Sequence, residues 1–588
     1  MRYLLTNMTL AAALLAPLGL QPALGIDSTG SGFAITDVRL FNGETIHEST
    51  TLIVRDGRIK EVGNEATLSD DMEVIDGAGH TVLPGLIDAH VHTFGQARSD
   101  ALRLGVTTLL DMFTSPQMLS GTREQREQYS ATTQADLYSA GMLATAEGGH
   151  GTQFGVPVEA VDGPDDAEDW VQRRIAEGSD YIKIIVEDGS THGGRNIPTL
   201  DAATVGALVE AAHGNNLMAL AHISTLADAI MAVEAGVDGL VHVFHDRPAS
   251  EEFLDLARDR GIFVIPTGIV IGTITGAVDS RPLLDDPDIA PVLSPEQRQT
   301  LSQARQDNPD AASTWETVKA NIAALHQAGI PLLAGSDAPN PGTAHGISLH
   351  QELEILVAAG LDEREALLSA TATPARHFRL DDRGCLKPGC RADLLLVAGN
   401  PFKDIAATRD IAKVWKNGQP VSTQPPRSGG AGLDRDIDDL LADSEQGRWQ
   451  AAADNFMGGE SSASIHFDEG NKLLVEGKLR TAPFPPYSGA MWMPGDMPMQ
   501  PVDIGERTRL NVVVNGADGP WQVMVFSGSE GAGRPLMLDM KASESGARLT
   551  TDLADYPGVD TANLQAVGVF AVGDSRPVAF RISEAGLQ

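Results

Sequence analysis

The chain reads as an α/β protein: a (β/α)8 TIM barrel with a small flanking β-sandwich, followed by an all-β jelly-roll region. Three observations carry this reading. Eight short apolar runs alternate with helical stretches between about Leu86 and Ala372, and such alternation favours a closed parallel sheet over an open one. Short alternating strands with turn residues lie on both sides of that block, so the two flanks are expected to pair into one sandwich. From Trp449 onwards only strand-like runs recur, divided by Gly, Asp and Pro turns, the spacing of a β-sandwich.

At 588 residues the chain exceeds one ordinary core, and several units are expected. The expected divisions are residues 1–25, an export signal; 26–84 with 383–421, the composite sandwich; 85–382, the barrel; 422–448, a linker with a short acidic helix; and 449–588, the C-terminal sandwich. Arg2, the apolar run Leu10 to Leu20 and the small-x-small triplet Ala23-Leu24-Gly25 form the signal pattern, and the run is too short for a membrane span. No cysteine stands near the cleavage point, which argues against a lipid anchor. The expected location is the periplasm or the exterior, with no integral membrane segment after signal removal.

In the first flank, Ala34–Leu40 and Thr51–Arg55 alternate before Asp56-Gly57. The barrel strands are placed at Leu86–His92, Thr107–Met112, Gly141–Ala146, Tyr181–Val186, Leu217–His222, Gly239–Val243, Phe263–Thr267 and Pro331–Ser336. Ala202–His213 and Thr225–Ala235 read as helices from apolar steps of three and four. Ala392–Val397 and Ala412–Trp415 supply the second flank, and STQPPRSGGAG over Ser422–Gly432 is a linker by composition.

Hydrophobic residues make up 42% and charged residues 21% of the chain, a globular rather than disordered composition. The formal net charge of −37 argues against nucleic acid or an anionic membrane as partner. Cys385 and Cys390 flank a Pro388-Gly389 turn, and the pattern leaves a disulfide and two buried thiols equally open.

The chemistry-bearing residues fall at strand ends, where barrel active sites lie. His90 and His92 close the first strand, and side chains two apart share a strand face. Lys183 sits among isoleucines in the fourth, His222 ends the fifth, His242 ends the sixth and Asp337 follows the eighth. Singly, each has an ordinary explanation: a core histidine, a solvated lysine, a helix N-cap. Together, four imidazoles and a carboxylate point to metal. A lysine turned into a buried lumen has a lowered pKa and can add CO2 to become an anionic bridging ligand.

These residues sit in Pro84-Gly85-Leu86-Ile87-Asp88-Ala89-His90-Val91-His92, Gly105-Val106-Thr107-Thr108, Gly335-Ser336-Asp337 and Pro388-Gly389 with Ala392-Asp393-Leu394. From roughly Phe33 to Val421 the chain resembles the amidohydrolase superfamily. Asp180-Tyr181-Ile182-Lys183-Ile184 and Gly236-Val237-Asp238-Gly239-Leu240-Val241-His242 are similar to its imidazolonepropionase- and prolidase-like branch. The resemblance implies one zinc ion on His90, His92 and Asp337 and a second on His222 and His242, bridged by carboxylated Lys183. It further implies a zinc-activated bridging hydroxide, with Asp337 as base and then acid, cleaving an amide or peptide C–N bond. Other readings are a mononuclear-metal deaminase or cyclic amide or lactone hydrolase on the same barrel, or a non-catalytic carbohydrate- or surface-binding protein.

His150, in Glu147-Gly148-Gly149-His150-Gly151, is a candidate catalytic and substrate-binding residue, and His245 and His345 are further candidates for substrate contact. The expected substrate is a small molecule or dipeptide-like amide, and a homo-oligomer is compatible with the sequence. The segment Phe456 to Ile582 resembles the complex I intermediate-associated protein family, whose domains are similar to galactose-binding ones. Trp492 and Trp521 fit either sugar platforms or core.

Overall fold

The computed structural model describes residues 32–588 except 70–71, 153–157, 192–196, 305–310, 425–430, 433–436, 438, 442–447, 455–460, 469, 471, 481–485, 495–501, 517–518, 529–534, 544–545 and 557–558. The export signal expected at 1–25 lies outside the described residues, as does most of the linker and short helix expected at 422–448.

Strands from both flanks share one eight-stranded sheet. Its members are β1 (Phe33–Phe41), β2 (Ile46–Arg55), β3 (Arg58–Val62), β4 (Glu73–Asp76) and β5 (His80–Pro84), joined late in the chain by strands at Leu394–Ala398, Ile411–Lys416 and Gln419–Val421. β5 pairs antiparallel with Leu394–Ala398, so residues more than 300 apart in sequence zip together. Ile35, Leu40, Leu52, Leu394 and Trp415 bury in a core of their own on this sheet. Cys385 and Cys390 form a disulfide within it, which resolves the alternative left open by the sequence.

Between the flanks the pairing is parallel. β6 (Leu86–Val91), β7 (Val106–Asp111) and β8 (Asp136–Ser139) form one sheet. β9 (Ile182–Ile185), β10 (Ala219–His222), β11 (Gly239–Val241) and β12 (Phe263–Ile265) form another. Single parallel bridges join them: Ala144 with Ile184, Val264 with Leu332, and Val91 with Ala338. β6, β7 and β9 are buried along their whole length, as expected where helices cover a parallel sheet.

Two expected strands differ. The third is Asp136–Ser139, not Gly141–Ala146. Gly141 takes φ +65° and turns the chain out of the ladder, leaving Ala144 only one bridge. The eighth, expected over Pro331–Ser336, makes only the Leu332 bridge with Val264, although Ala89 N–H also donates to Ala334 O at 2.9 Å. The helices at Ala202–Gly214 and Leu226–Ala235 match expectation, capped by the side chains of Asp201 and Thr225.

The C-terminal region is all-β, in two largely antiparallel sheets of seven and six strands. Leu473, Val475, Trp492, Val512, Trp521, Val569 and Phe580, drawn from both sheets, fill one apolar cluster. Trp492 and Trp521 are therefore core residues rather than exposed stacking platforms. Among the described residues no helix is long and apolar enough to cross a membrane.

Candidate metal centre

The six expected ligand residues meet. His90, His92, Lys183, His222, His242 and Asp337 all line one cavity of about 540 Å³, joined by His150 and His245. Each stands at or just beyond the C-terminal end of a parallel strand, except Lys183, which lies within β9. Strand periodicity puts His90 and His92 on one face.

Asp337 holds the first cluster together. Its Oδ1 lies 3.0 Å from His92 Nε2 and 3.3 Å from His90 Nε2, and its Oδ2 lies 4.0 Å from His242 Nδ1. The His222 and His242 rings are 4.5 Å apart, and the His90 and His242 rings 4.9 Å apart. His150 stacks 4.7 Å from the His222 ring, so the loop after the third strand reaches the second pair of histidines. His345 is elsewhere. It is buried outside the cavity lining, with Nε2 3.0 Å from the His92 carbonyl oxygen, so it supports the His92 backbone instead of facing substrate. Asp337 is not a helix N-cap, because the next helix begins at Ile347 with Gly346 as its cap.

Lys183 is only 2% exposed. Burial lowers its pKa to about 7, against the raising influence of Asp337 and Asp111. Near neutral pH a large fraction of the amine is therefore uncharged. Burial also depresses His90 and His242 well below the usual imidazole range, with neighbouring Lys183 and the other histidines adding to the effect. The rings are neutral, as metal ligands must be.

Several supporting residues were not read from the sequence. Asp88, buried in β6, accepts from His90 N–H, Ser336 N–H and Ser336 Oγ–H, tying the first strand to the loop that carries Asp337. Asp111 does the same one strand away, accepting from Thr93 N–H and Ser139 Oγ–H. Glu187, fully buried after β9, brings Oε2 to 3.7 Å from His222 Nε2. Gly335 is required by close approach: a Cβ there would stand 2.8 Å from His90 Cβ and 2.6 Å from Ile265 Cγ2.

Three non-glycine residues at strand ends occupy the left-handed region: His242 (φ +73°), Thr267 (φ +50°) and Asp337 (φ +52°). Such conformations cost on the order of 1 kcal/mol or more each, and here all three aim functional groups at one centre. The Thr267 hydroxyl lies 2.6 Å from His242 Nδ1 and donates its single proton to Pro266 O at 2.8 Å. It must therefore accept from Nδ1–H, which leaves Nε2 of His242 with its lone pair available. Thr267→Val removes this acceptor, and the expected result is about 10- to 100-fold weaker divalent-metal binding, measured by competition with a chromogenic chelator at unchanged fold.

The start of the next helix anchors Thr267. Gly268 N–H and Ile269 N–H donate to the two carboxyl oxygens of buried Glu352, at 3.0 and 2.7 Å. Burial raises the Glu352 pKa to about 8 against these donors. An unfolded glutamate titrates near 4.3, so the folded form retains a proton that the unfolded chain releases. Stability from this group is fully present below about pH 4.3 and is lost as pH rises through about 8. Glu352→Gln carries no such proton. Its thermal midpoint should gain on that of wild type between pH 5 and pH 9, in parallel calorimetric scans; a constant gap would contradict the assignment.

The donor set fits divalent metal. Among the described residues neither ring nitrogen of buried His90 has a hydrogen-bond partner, and Asp337 Oδ1 has none either. Leaving such groups unsatisfied is costly, and a cation at the centre of the cluster satisfies them. His90, His242 and Asp337 offer ligand atoms within 4.8 Å of one another.

Fold and site together define a hydrolase of the amidohydrolase class. The amidohydrolase family pattern matches residues 81–423, more than half of the chain, and the chain belongs to that family, whose members here act on carbon–nitrogen bonds. It is 25% identical to the ochratoxinase of Aspergillus niger over 431 residues, covering 64% of this chain and 84% of the relative. It is 23% identical to the imidazolonepropionase of Rhodococcus jostii, covering 66% and 93%. In structure it is similar to a putative prolidase from Bifidobacterium longum, with a TM-score of 0.55 at 25% identity over 68% of this chain and 96% of that one.

Proposed function

We propose that this protein is an exported amidase or dipeptidase, acting through two zinc ions bridged by carboxylated Lys183. The carrying observation is a buried lysine, its pKa lowered to about 7 by burial, in one cavity with four histidines and Asp337. The reading takes the parallel pairings from β6 round to Ala338 as one closed (β/α)8 barrel, with its active site at the strand C-termini. The prolidase likeness and the amide-cleaving relatives support the reaction class.

His90, His92 and Asp337 would hold one ion, and His222 and His242 the other. The Lys183 amine uses its lone pair to form a bond to the carbon of CO2 and loses a proton, giving a carbamate with two anionic oxygens. When bound, the metal ions acidify water and polarise a carbonyl. Asp337 accepts the proton of the attacking water and delivers it to the amide nitrogen as the C–N bond breaks. The products are a carboxylate and an amine. His150, whose ring lies beside that of His222, would donate to the carbonyl oxygen as it gains charge.

A second reading is favoured by the tightest cluster. His90, His242 and Asp337 suffice for a single ion, the arrangement a mononuclear deaminase or cyclic amide hydrolase would use. Elemental analysis with a screen of N-acyl amino acids, Xaa-Pro and other dipeptides, lactones and lactams decides between them. Two ions per chain with amide hydrolysis supports the first reading; one ion with turnover only of lactones or lactams overturns it. Export would be checked by the mature N-terminus, expected near Ile26 by mass spectrometry of protein recovered outside the cytoplasm.

A further inference from the structure

Beside the ligand cluster the cavity is lined by apolar side chains, among them Phe113, Ile223, Ile271 and Ile274, and by a few neutral polar ones such as Ser224 and Asn340. Outside the six ligand residues, the described lining holds no carboxylate, lysine or arginine. Phe94 stays 41% exposed, at the rim of a cavity it also lines.

The helix Gly268–Thr275 (GIVIGTIT) makes this wall and carries no charged residue. Its two glycines are spaced one turn apart and face inward. A Cβ on Gly268 would stand 2.9 Å from Ile355 Cγ2, and one on Gly272 would stand 2.5 Å from Val278 Cγ2. The glycines let the helix seat tightly on its neighbours. Val270, Ile271 and Ile274 are left to line the cavity. Glu352 clamps the first turn through Gly268 and Ile269. The wall is thus rigid, apolar and fixed relative to Thr267 and His242. Val270 and Ile271 belong to the main apolar core and Ile274 packs against it, so this face is core on one side and cavity wall on the other.

We propose that the site selects amides carrying a bulky apolar group, branched aliphatic or aromatic, beside the scissile bond, with Ile271 and Ile274 as the specificity-determining residues. The proposal rests on the amidase reading and deepens it. One added methylene in an apolar pocket is worth about 10- to 200-fold in kcat/KM, so a bulky group should show well over 100-fold.

The test compares N-acetylphenylalanine and N-phenylacetylglycine with N-acetylglycine on the metal-replete full-length protein. At least one bulky substrate should exceed N-acetylglycine by 100-fold in kcat/KM, and Ile274→Asn should cut that ratio at least tenfold. Equal turnover of all three, or a ratio untouched by the substitution, overturns the proposal. A binding arm separates the two readings. Phenylacetate should bind at least tenfold more tightly than acetate by calorimetry, with a negative heat-capacity change, and Ile274→Asn should abolish the difference. If no amide is cleaved, the amidase reading fails; phenylacetate selectivity then supports the apolar subsite, and its absence overturns it. Ile271→Asn gives the same comparison should Ile274→Asn fail to fold.

Discussion

Lys183→Ala is expected to lower kcat by at least about 100-fold, the upper end of what loss of a supporting contact alone costs at a metal site. Acetate, propionate or butyrate should restore part of the activity. The physical reason lies in the cavity. Lys183 is buried in β9, so truncation removes the nitrogen that would carry the bridging oxygens under the proposed function and leaves a gap open to the ligand cluster. A short carboxylate presents two anionic oxygens of the same geometry and fits that gap. Metal content should fall from two ions per chain to one or none, and rise again with the added acid. Full turnover without rescue, or two tightly held ions in the variant, would sink the bridging role of this lysine.

Asp337→Asn is expected to lower kcat by about 10²- to 10⁴-fold, the range for loss of a positioned general acid–base group. The amide is isosteric, so the structural contacts survive: Asp337 N–H donates to His90 O at 2.8 Å, and Asn340 Nδ2–H donates to Asp337 O at 2.7 Å. Both are backbone groups at residue 337 and do not depend on the side-chain oxygen. Circular dichroism and the thermal midpoint should therefore stay close to wild type while turnover falls. Undiminished turnover in this variant would count against every hydrolytic reading of the site.

Much of the centre was legible before folding was considered, because its residues sit at the ends of locally patterned strands. His90 and His92 end an apolar run that opens after Pro84-Gly85, and Asp337 follows Gly335-Ser336. Strand periodicity converts such spacing directly into direction. The supporting layer was not legible. Glu352 reaches Gly268 across 84 residues, and Asp88 reaches Ser336 across 248. Asp88 sits inside an apolar run, but nothing near either carboxylate names its distant partner. His345 shows the converse: its place in the loop after Asp337 made it a candidate for substrate contact, but its ring lies 3.0 Å from the His92 carbonyl oxygen, outside the cavity lining.

The sequence by itself determined the alternation of strands and helices, the strand ends at which ligands stand, and the family to which residues 81–423 belong. The first two follow because hydrophobic period and turn chemistry act over a few residues; the family follows from the motif residues around His90, Lys183, His242 and Asp337. Only the tertiary structure decided that Cys385 bonds Cys390, that the third strand begins at Asp136, and that an uncharged helix turns its isoleucines towards the cavity while its glycines pack inward. Those outcomes depend on which distant surfaces meet, and close packing between elements, not local preference, settles that.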